Sequence, residues 1–141
     1  MKWYGPAVGK VLGKQLDLIN DTIKVALVKS TYTPNQDTHD EWADVSANES
    51  TGTGYTAGGK TLASKTLTYN STSNAWTFDA ADLTWSSVST AFQYAVIYDD
   101  TASGKPLLAY LDFGSTQTAT TQDVLIKWET TGDTGILRAT V

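Results

Sequence analysis

From residue 22 onward the sequence is a succession of short, threonine-rich segments with β-strand patterning, and clusters of turn residues separate them. The first segment, residues 21–28, places Ile23, Val25 and Leu27 on one face of a strand. Regularly spaced strands with polar turns are typical of a β-sandwich or closed barrel rather than of βαβ units. We therefore expect an all-β fold: a single β-sandwich or barrel-like domain with a short N-terminal helix or arm and one long loop. The remaining predicted strands are residues 61–69, 75–79, 82–85, 92–98, 107–113, 123–128 and 136–141.

The predicted strands differ in how their apolar residues are arranged. Residues 92–98 (FQYAVIY) are apolar on both faces, which is typical of a central strand covered on both sides. Residues 124–128 (VLIKW) alternate, which is typical of a half-exposed strand. The turns that separate the strands are predicted at residues 70–74, 99–104, 114–116 and 131–133.

The one helical pattern covers residues 6–18. Its apolar residues recur at spacings of three and four and therefore share one face. Gly9 and Gly13 each weaken an isolated helix by about 1 kcal/mol relative to alanine. Two interpretations remain open, a short helix that covers a sheet and an arm that orders only against a partner. The residues of the predicted apolar face are Val8, Val11, Leu12 and Leu16.

The domain boundary is expected near residue 20, with a helical arm over residues 1–20 and a β domain over residues 21–141. Within the β domain, residues 29–60 form a long polar stretch. Structureless loops of that length are uncommon in compact domains and are usually either functional or disordered. Trp42 and Tyr55 indicate that parts of this loop pack against the core, and the loop is the predicted partner contact outside the N-terminus.

Composition limits the classes of function. The 141 residues include no cysteine, one histidine (His39) and a formal net charge of −5, with no run of lysine or arginine. Nucleic-acid binding depends on phosphate neutralisation, so we expect no nucleic-acid partner. Catalysis needs a tuned acid, base, nucleophile or metal, and we predict no catalytic residue, no cofactor and no enzyme activity. The sequence shows no signal-peptide pattern and no apolar run long enough for a membrane, so we expect a soluble product of the cytoplasm.

One segment imitates a nucleotide-binding motif. Residues 54–61 (GYTAGGKT) match G-x-x-x-x-G-K-[ST], the loop that surrounds phosphates in nucleoside triphosphatases. That loop requires a buried strand before it and a helix after it. Here residues 48–53 are polar and residues 61–69 are strand-like. We therefore interpret the motif as a glycine turn that leads into a strand.

Two further kinds of functional site are considered, a metal site around His39 and a sugar-binding site at exposed tryptophans. His39 lies among acidic residues, but their spacing matches no calcium loop and supplies too few ligands for catalytic zinc, so we predict a solvated acidic loop without metal. Trp76 and Trp85, if exposed, would stack on sugar rings, although tryptophans more often lie in cores or interfaces. A carbohydrate-binding module or small hydrolase is accordingly a lesser alternative.

Several segments together resemble a family of small virion proteins of tailed bacteriophages. The likeness runs in order over nearly the full length of the chain, and the family carries no catalytic motif. The resembling segments are KWYGPA (2–7), DTIKVAL (21–27), YTPNQDTHD (32–40), VSANE (45–49), GTGYTAGG (52–59), YAVIYDD (94–100) and LDFG (111–114).

The resemblance implies a structural role in the virion. Its preferred form is a capsid decoration (cement) protein that binds the major capsid protein and stabilises the head, and a tail or head-fibre component is the alternative. It also implies a homo-oligomer, with a trimer favoured. Under this hypothesis apolar side chains of the arm and loop lie on the shell. These expected interface residues are Trp3, Tyr4, Val8, Leu12, Trp42 and Tyr55.

Overall fold

The computed structural model describes residues 1–128 and 135–140, and strands dominate it. Two antiparallel sheets make up an all-β, sandwich-like domain, as the sequence predicted. The larger sheet has the order β1-β8-β7-β2-β4, with β3 added beside β7, and the smaller has the order β5-β6-β9. The elements in chain order are β1 (Lys2–Trp3), α1 (Gly5–Leu12), β2 (Ile23–Val28), α2 (Ala43–Ser46), β3 (Gly52–Thr53), β4 (Lys60–Thr61), β5 (Thr66–Asn70), β6 (Ala75–Asp79), β7 (Leu83–Asp99), β8 (Leu107–Ile126) and β9 (Leu137–Thr140).

Strands β7 and β8 form one long antiparallel ribbon, which corrects the prediction of four separate strands in this region. Of the predicted strands, residues 83–85 and 92–98 belong to β7, and residues 107–113 and 123–126 belong to β8. Between the pairs Phe92↔Gln117 and Tyr94↔Asp112 the register shifts, so the predicted turn at 114–116 is an irregularity inside β8. Such bulges bend a strand without ending it.

The other predicted strands agree with the structure to different degrees. Residues 75–79 are β6, whereas residues 61–69 divide into β4 and β5. Residues 92–98 are central, between β8 and β2, as predicted. Residues 136–141 correspond to β9, with Val141 outside the described residues, and the predicted turn at 131–133 also lies outside them.

A single hydrophobic core joins the two sheets. Strand β2 is covered on both faces, because Val25, Ala26, Leu27 and Val28 are all fully buried. Burial of large apolar side chains is the main favourable term in folding, at about 1.5–3 kcal/mol for each. The largest enclosed side chains are Tyr4, Ile23, Val25, Leu27, Val28, Phe78, Trp85, Ile97, Tyr98, Leu107, Leu108 and Ile136.

Helix α1 is shorter than the predicted helix over residues 6–18 and is not a detached arm. It ends at Leu12 and is capped by Gly13, whose N–H donates to the Gly9 carbonyl, and Lys14 then takes a φ of 58° that turns the chain. Ala7 faces the core, and Lys10 forms an ion pair with Asp40 of the long loop (2.5 Å). The expected boundary near residue 20 therefore does not separate two packing units, and the helix covers the sheet.

The long loop over residues 29–60 is tied to the body at several points. It contains α2, β3 and the first residue of β4. Tyr32 and Val45 are buried, and the ring of Trp42 stacks on Tyr98 with 4.4 Å between centroids. The prediction that parts of this loop pack against the core is confirmed.

Candidate functional site

Of the expected interface residues, Tyr4 is the one that is fully buried. Its side chain is fully buried, its ring lies 5.3 Å from that of Tyr110, and its hydroxyl shares a 2.9 Å hydrogen bond with Tyr32. Burial is the largest cause that raises the pKa of Tyr4 above the usual tyrosine range. The expectation that Tyr4 anchors the protein to a partner is wrong, because Tyr4 belongs to the chain's own core.

Three further interface candidates are half-buried and already engaged within the chain. Trp3 lies in β1, opposite Ala109 of β8, and packs against the core. Trp42 stacks on Tyr98, as described above. The hydroxyl of Tyr55 donates to Glu49 Oε1 (2.8 Å) and accepts the N–H of Leu27 (3.0 Å). These contacts hold the loop in place and leave only part of each ring available to a partner.

Val8 and Leu12 are the two candidates that the structure leaves open, and together they are called the α1 surface below. Leu12 is 79% exposed and Val8 is 44% exposed. Helix α1 is oriented with Ala7 toward the core, so the apolar face predicted from Val8, Val11, Leu12 and Leu16 is divided. Val11 and Leu16 pack inward, whereas the α1 surface faces outward.

A shallow apolar cleft of about 290 Å³ opens just past the end of α1. Two exposed apolar side chains on its wall, Ile19 and Leu67, were missed by the sequence interpretation. The signal for Leu67 was its alternation with Tyr69 in the segment TLTYN, which puts both on one face of β5. The cleft is called the Leu67 cleft below and is lined by Val11, Lys14, Leu16, Asp17, Leu18, Ile19 and Leu67.

The segment that imitates a phosphate loop has the predicted form of a glycine turn followed by a strand. Strand β4 pairs with β2 through Lys60↔Val25, and the next element after the motif is a strand, β5, in place of a helix. The Gly58 N–H donates to Glu49 Oε1 (2.6 Å), and the Lys60 amine donates to the Thr84 carbonyl. The amide and the amine that would hold a phosphate in such a loop are thus bonded within the chain.

His39 is half-buried and joins a hydrogen-bonded series of side chains that continues through Tyr32 to Tyr4. Its Nδ1 is hydrogen-bonded to the Tyr32 hydroxyl (2.7 Å), and the two rings stack with centroids 5.4 Å apart. Burial raises the pKa of Tyr32 to about 12. The backbone N–H groups of Asp40 and Glu41 donate to Asp44 and lower its pKa. Across residues 1–128 and 135–140, no group of three or more His, Cys, Asp or Glu side chains is placed to hold a metal ion.

Among residues 1–128 and 135–140, Asp99 is the one acidic residue that is fully buried. Its Oδ1 accepts the N–H groups of Thr101 (2.7 Å) and Ala102 (3.2 Å), while its Oδ2 is buried without a hydrogen-bond donor among the described residues. Burial is the largest cause that raises the pKa of Asp99, and the adjacent Asp21 carboxyl raises it further, against the two N–H bonds that lower it. The Asp99 carboxyl thus belongs to a turn, and burying it costs free energy. It is not a solvent-accessible group of the kind that catalysis uses.

Replacing this acid is expected to stabilise the protein at neutral pH. Because the folded-state pKa of Asp99 lies above the ordinary 3.8, the folded state binds more protons between these values. The free energy of unfolding therefore falls as pH rises from about 3.8 through the folded-state pKa. Asp99→Asn keeps the Oδ1 acceptor and removes the charge, so we expect a gain of about 1–3 kcal/mol at pH 7 and little gain at pH 3, measured by urea unfolding.

Asp112→Asn is the matched control. Asp112 is exposed, and its Oδ1 accepts the N–H of the residue two positions on, Gly114 (2.8 Å), as the Oδ1 of Asp99 does from Thr101. We expect a change within about 0.5 kcal/mol at both pH values. A loss of stability in Asp99→Asn at pH 7 would show that the buried carboxylate contributes favourably.

The two tryptophans of the sugar hypothesis lie in different environments. Trp85 is 1% exposed and belongs to the core, the more common place for a tryptophan, so it offers no stacking surface to a sugar. Trp76 is 43% exposed and lies opposite Tyr69, with 5.4 Å between ring centroids. Of these two tryptophans, only Trp76 offers an aromatic face to a ligand.

Comparison with known proteins does not assign the chain to a family. No family model matches the sequence, no curated protein matches it, and no solved structure matches its fold. Neither of the helices that the structure describes has the length and apolar character needed to cross a membrane.

Proposed function

We propose that the protein is a structural component of a bacteriophage virion, and specifically a capsid decoration protein that binds the assembled head and stabilises it. The bound partner is the major capsid protein, and the protein is located in the virion after synthesis in the host cytoplasm. It acts by adhesion and not by turnover, with no residue in a catalytic role and no cofactor.

The observation that carries this proposal is the exposure of Leu12 on an anchored helix. Leu12 is 79% exposed, while Ala7 on the same helix is fully buried and Lys10 is paired with Asp40. A rigid element that presents apolar side chains to solvent fits a docking surface for another protein. The sequence resemblance to small virion proteins supplies the identity of the partner.

The proposal is tested with virions from which the protein has been removed. Adding back the purified protein should restore heat resistance of the particles, and electron microscopy should show occupancy over the whole head. Density confined to the tail would contradict the capsid assignment and favour the tail or head-fibre alternative.

The α1 surface is expected to supply much of the affinity for the head. The double variant Val8→Glu/Leu12→Lys removes both apolar side chains, keeps the net charge and places an i,i+4 Glu–Lys pair on the helix. We expect binding to stripped heads to weaken by roughly thirtyfold or more, the loss typical of central interface residues, as measured by co-sedimentation.

Leu125→Thr is the control for this prediction. Leu125 is 49% exposed but lies near the far end of β8, away from β1 and α1. We expect this variant to bind heads like the unchanged protein. Equal binding by the double variant and the control would remove α1 from the interface.

A carbohydrate-binding module is the second candidate, favoured by the exposed pair of Tyr69 and Trp76. Glycan-array binding that is lost in Trp76→Ala would support it. The same variant should leave head binding unchanged if the decoration function is correct.

A further inference from the structure

Strand β5 forms one edge of the smaller sheet. It pairs with β6 over its whole length, from Thr66↔Asp79 to Asn70↔Ala75, without a register shift. No described strand pairs with its other side. Alternate backbone N–H and C=O groups of an antiparallel edge strand point away from the sheet, so β5 offers a template for a further strand.

This edge differs from the other ends of the two sheets. Natural edge strands are commonly protected by lysine, proline, bulges or short length. The strands β1, β4 and β9 carry Lys2, Lys60 and Arg138, and the first two have only two residues each. Strand β5, with the sequence TLTYN, has no charge, no proline and no bulge, and four of its five residues are exposed.

The face beside this edge is apolar. Leu67 is 46% exposed, Tyr69 is 42% exposed, and Trp76 continues the same face on β6. Leu67 also forms the wall of the Leu67 cleft, together with Leu16 and other side chains past the end of α1. A strand added to β5 would therefore place its own side chains over an apolar surface that leads into a cleft.

We propose that β5 pairs with β5 of a second copy of this chain, antiparallel and about a two-fold axis at Thr68. With this register Leu67 of each copy lies opposite Tyr69 of the other, and the two Thr68 side chains are neighbours on the axis. Tyr69 of one copy then stands beside Leu67 of the other, at the mouth of the Leu67 cleft. The two smaller sheets become one continuous sheet of six strands.

Charge and symmetry favour a second copy over another partner. The chain carries a net charge of −5, so two copies approach most easily through a strand without charge. The strand is also self-complementary, because reversal about Thr68 pairs its two apolar residues with each other. This inference is independent of the capsid proposal, and it expects a dimer where the resemblance favours a trimer.

Sedimentation velocity of the full-length protein tests the dimer. We expect a species of about twice the 15.2 kDa chain mass in the micromolar range. Thr68→Lys and Thr68→Glu each place like charges directly opposite on the axis, so each alone should raise the dissociation constant by roughly tenfold or more. An equal mixture of the two variants should regain the dimer, because lysine then faces glutamate.

Recovery of the dimer in the mixture distinguishes a lost interface from lost folding, because two misfolded variants would not dimerise when mixed. Thr68 is exposed, and circular dichroism should be unchanged in both variants. Thr118→Lys, at an exposed position of β8, is the control and should remain dimeric. A monomeric or trimeric native protein, or a mixture that stays monomeric, would overturn the proposal. So would a monomer whose Thr68→Lys variant loses only head binding, since β5 would then pair with the capsid.

Discussion

Gly59→Ala is expected to lower the free energy of unfolding by about 3–5 kcal/mol. Gly59 has a φ of +69°, in the left-handed region that costs other residues about 1–2 kcal/mol. A Cβ atom there would also overlap the carbonyl oxygen of Val25 and lie 2.7 Å from the Cα of Ala26. Because β2 is buried on both faces, it has no room to move away. Thermal unfolding should show a midpoint roughly 10–15 °C lower.

Gly114→Ala separates the cost of the positive φ from the cost of the steric overlap with β2. Gly114 has a φ of +79°, close to that of Gly59, but a Cβ atom there would meet no atom within 4 Å. We expect this variant to cost only about 1–2 kcal/mol, from the backbone conformation alone. Equal costs for the two variants would mean that the glycine turn does not approach β2 as closely as the structure indicates.

The sequence motif at this turn illustrates what local pattern can predict. The polar residues before Gly54 and the threonine-rich residues after Lys60 were sufficient to predict a strand and not a helix after the motif, and the structure confirms this. The close approach to Val25 was not predictable, because it depends on which strand lies beside β4. Pairing partners come from tertiary structure and leave no trace in one short segment.

The long ribbon shows where local pattern fails. Residues 86–91 (SSVSTA) are mostly small and polar, and they lie between the two predicted strands, 82–85 and 92–98, that the structure joins into β7. In the structure Val88 is buried, and both β8 and β3 pair with this part of β7. Ser87 adopts a φ of +53° at an irregularity that bends the strand. Pairing on both sides thus maintains a strand that its own residues disfavour.

The candidate surface was predictable only in part, for a geometric reason. Periodicity identified an apolar stripe on the N-terminal helix, but it did not tell which side of that stripe faces the sheet. Ala7 is small, so the helix backbone can approach β8 on the side of Ala7. The helix is therefore oriented with Ala7 inward, and this orientation leaves the α1 surface in solvent. Aromatic residues such as Tyr4 and Trp85 are favourable in cores and interfaces alike, so their type did not distinguish the two.

Tyr4→Ala is expected to destabilise the whole domain by about 3–5 kcal/mol, as for other large buried aromatic residues. The side chain is completely enclosed, packs on Tyr110 and hydrogen-bonds to Tyr32, so its removal leaves a cavity and takes from the Tyr32 hydroxyl one of its two hydrogen-bond partners. Tyr4→Phe should cost only about 1 kcal/mol, since it removes the hydroxyl and keeps the ring. Urea unfolding followed by tryptophan fluorescence measures both.

Leu12→Ala is the companion variant, because Leu12 lies in the same N-terminal segment but is exposed. We expect a change in stability within about 0.5 kcal/mol, since alanine favours the helix and little buried area is lost. The difference between the two variants decides whether residues 1–20 are an arm or part of the domain. If Tyr4→Ala is as mild as Leu12→Ala, the segment folds separately and its aromatic residues are again available to a partner. If Tyr4→Ala is severe, the segment is a fixed part of the β domain, and binding to any partner must use side chains such as Leu12 that this packing leaves outside.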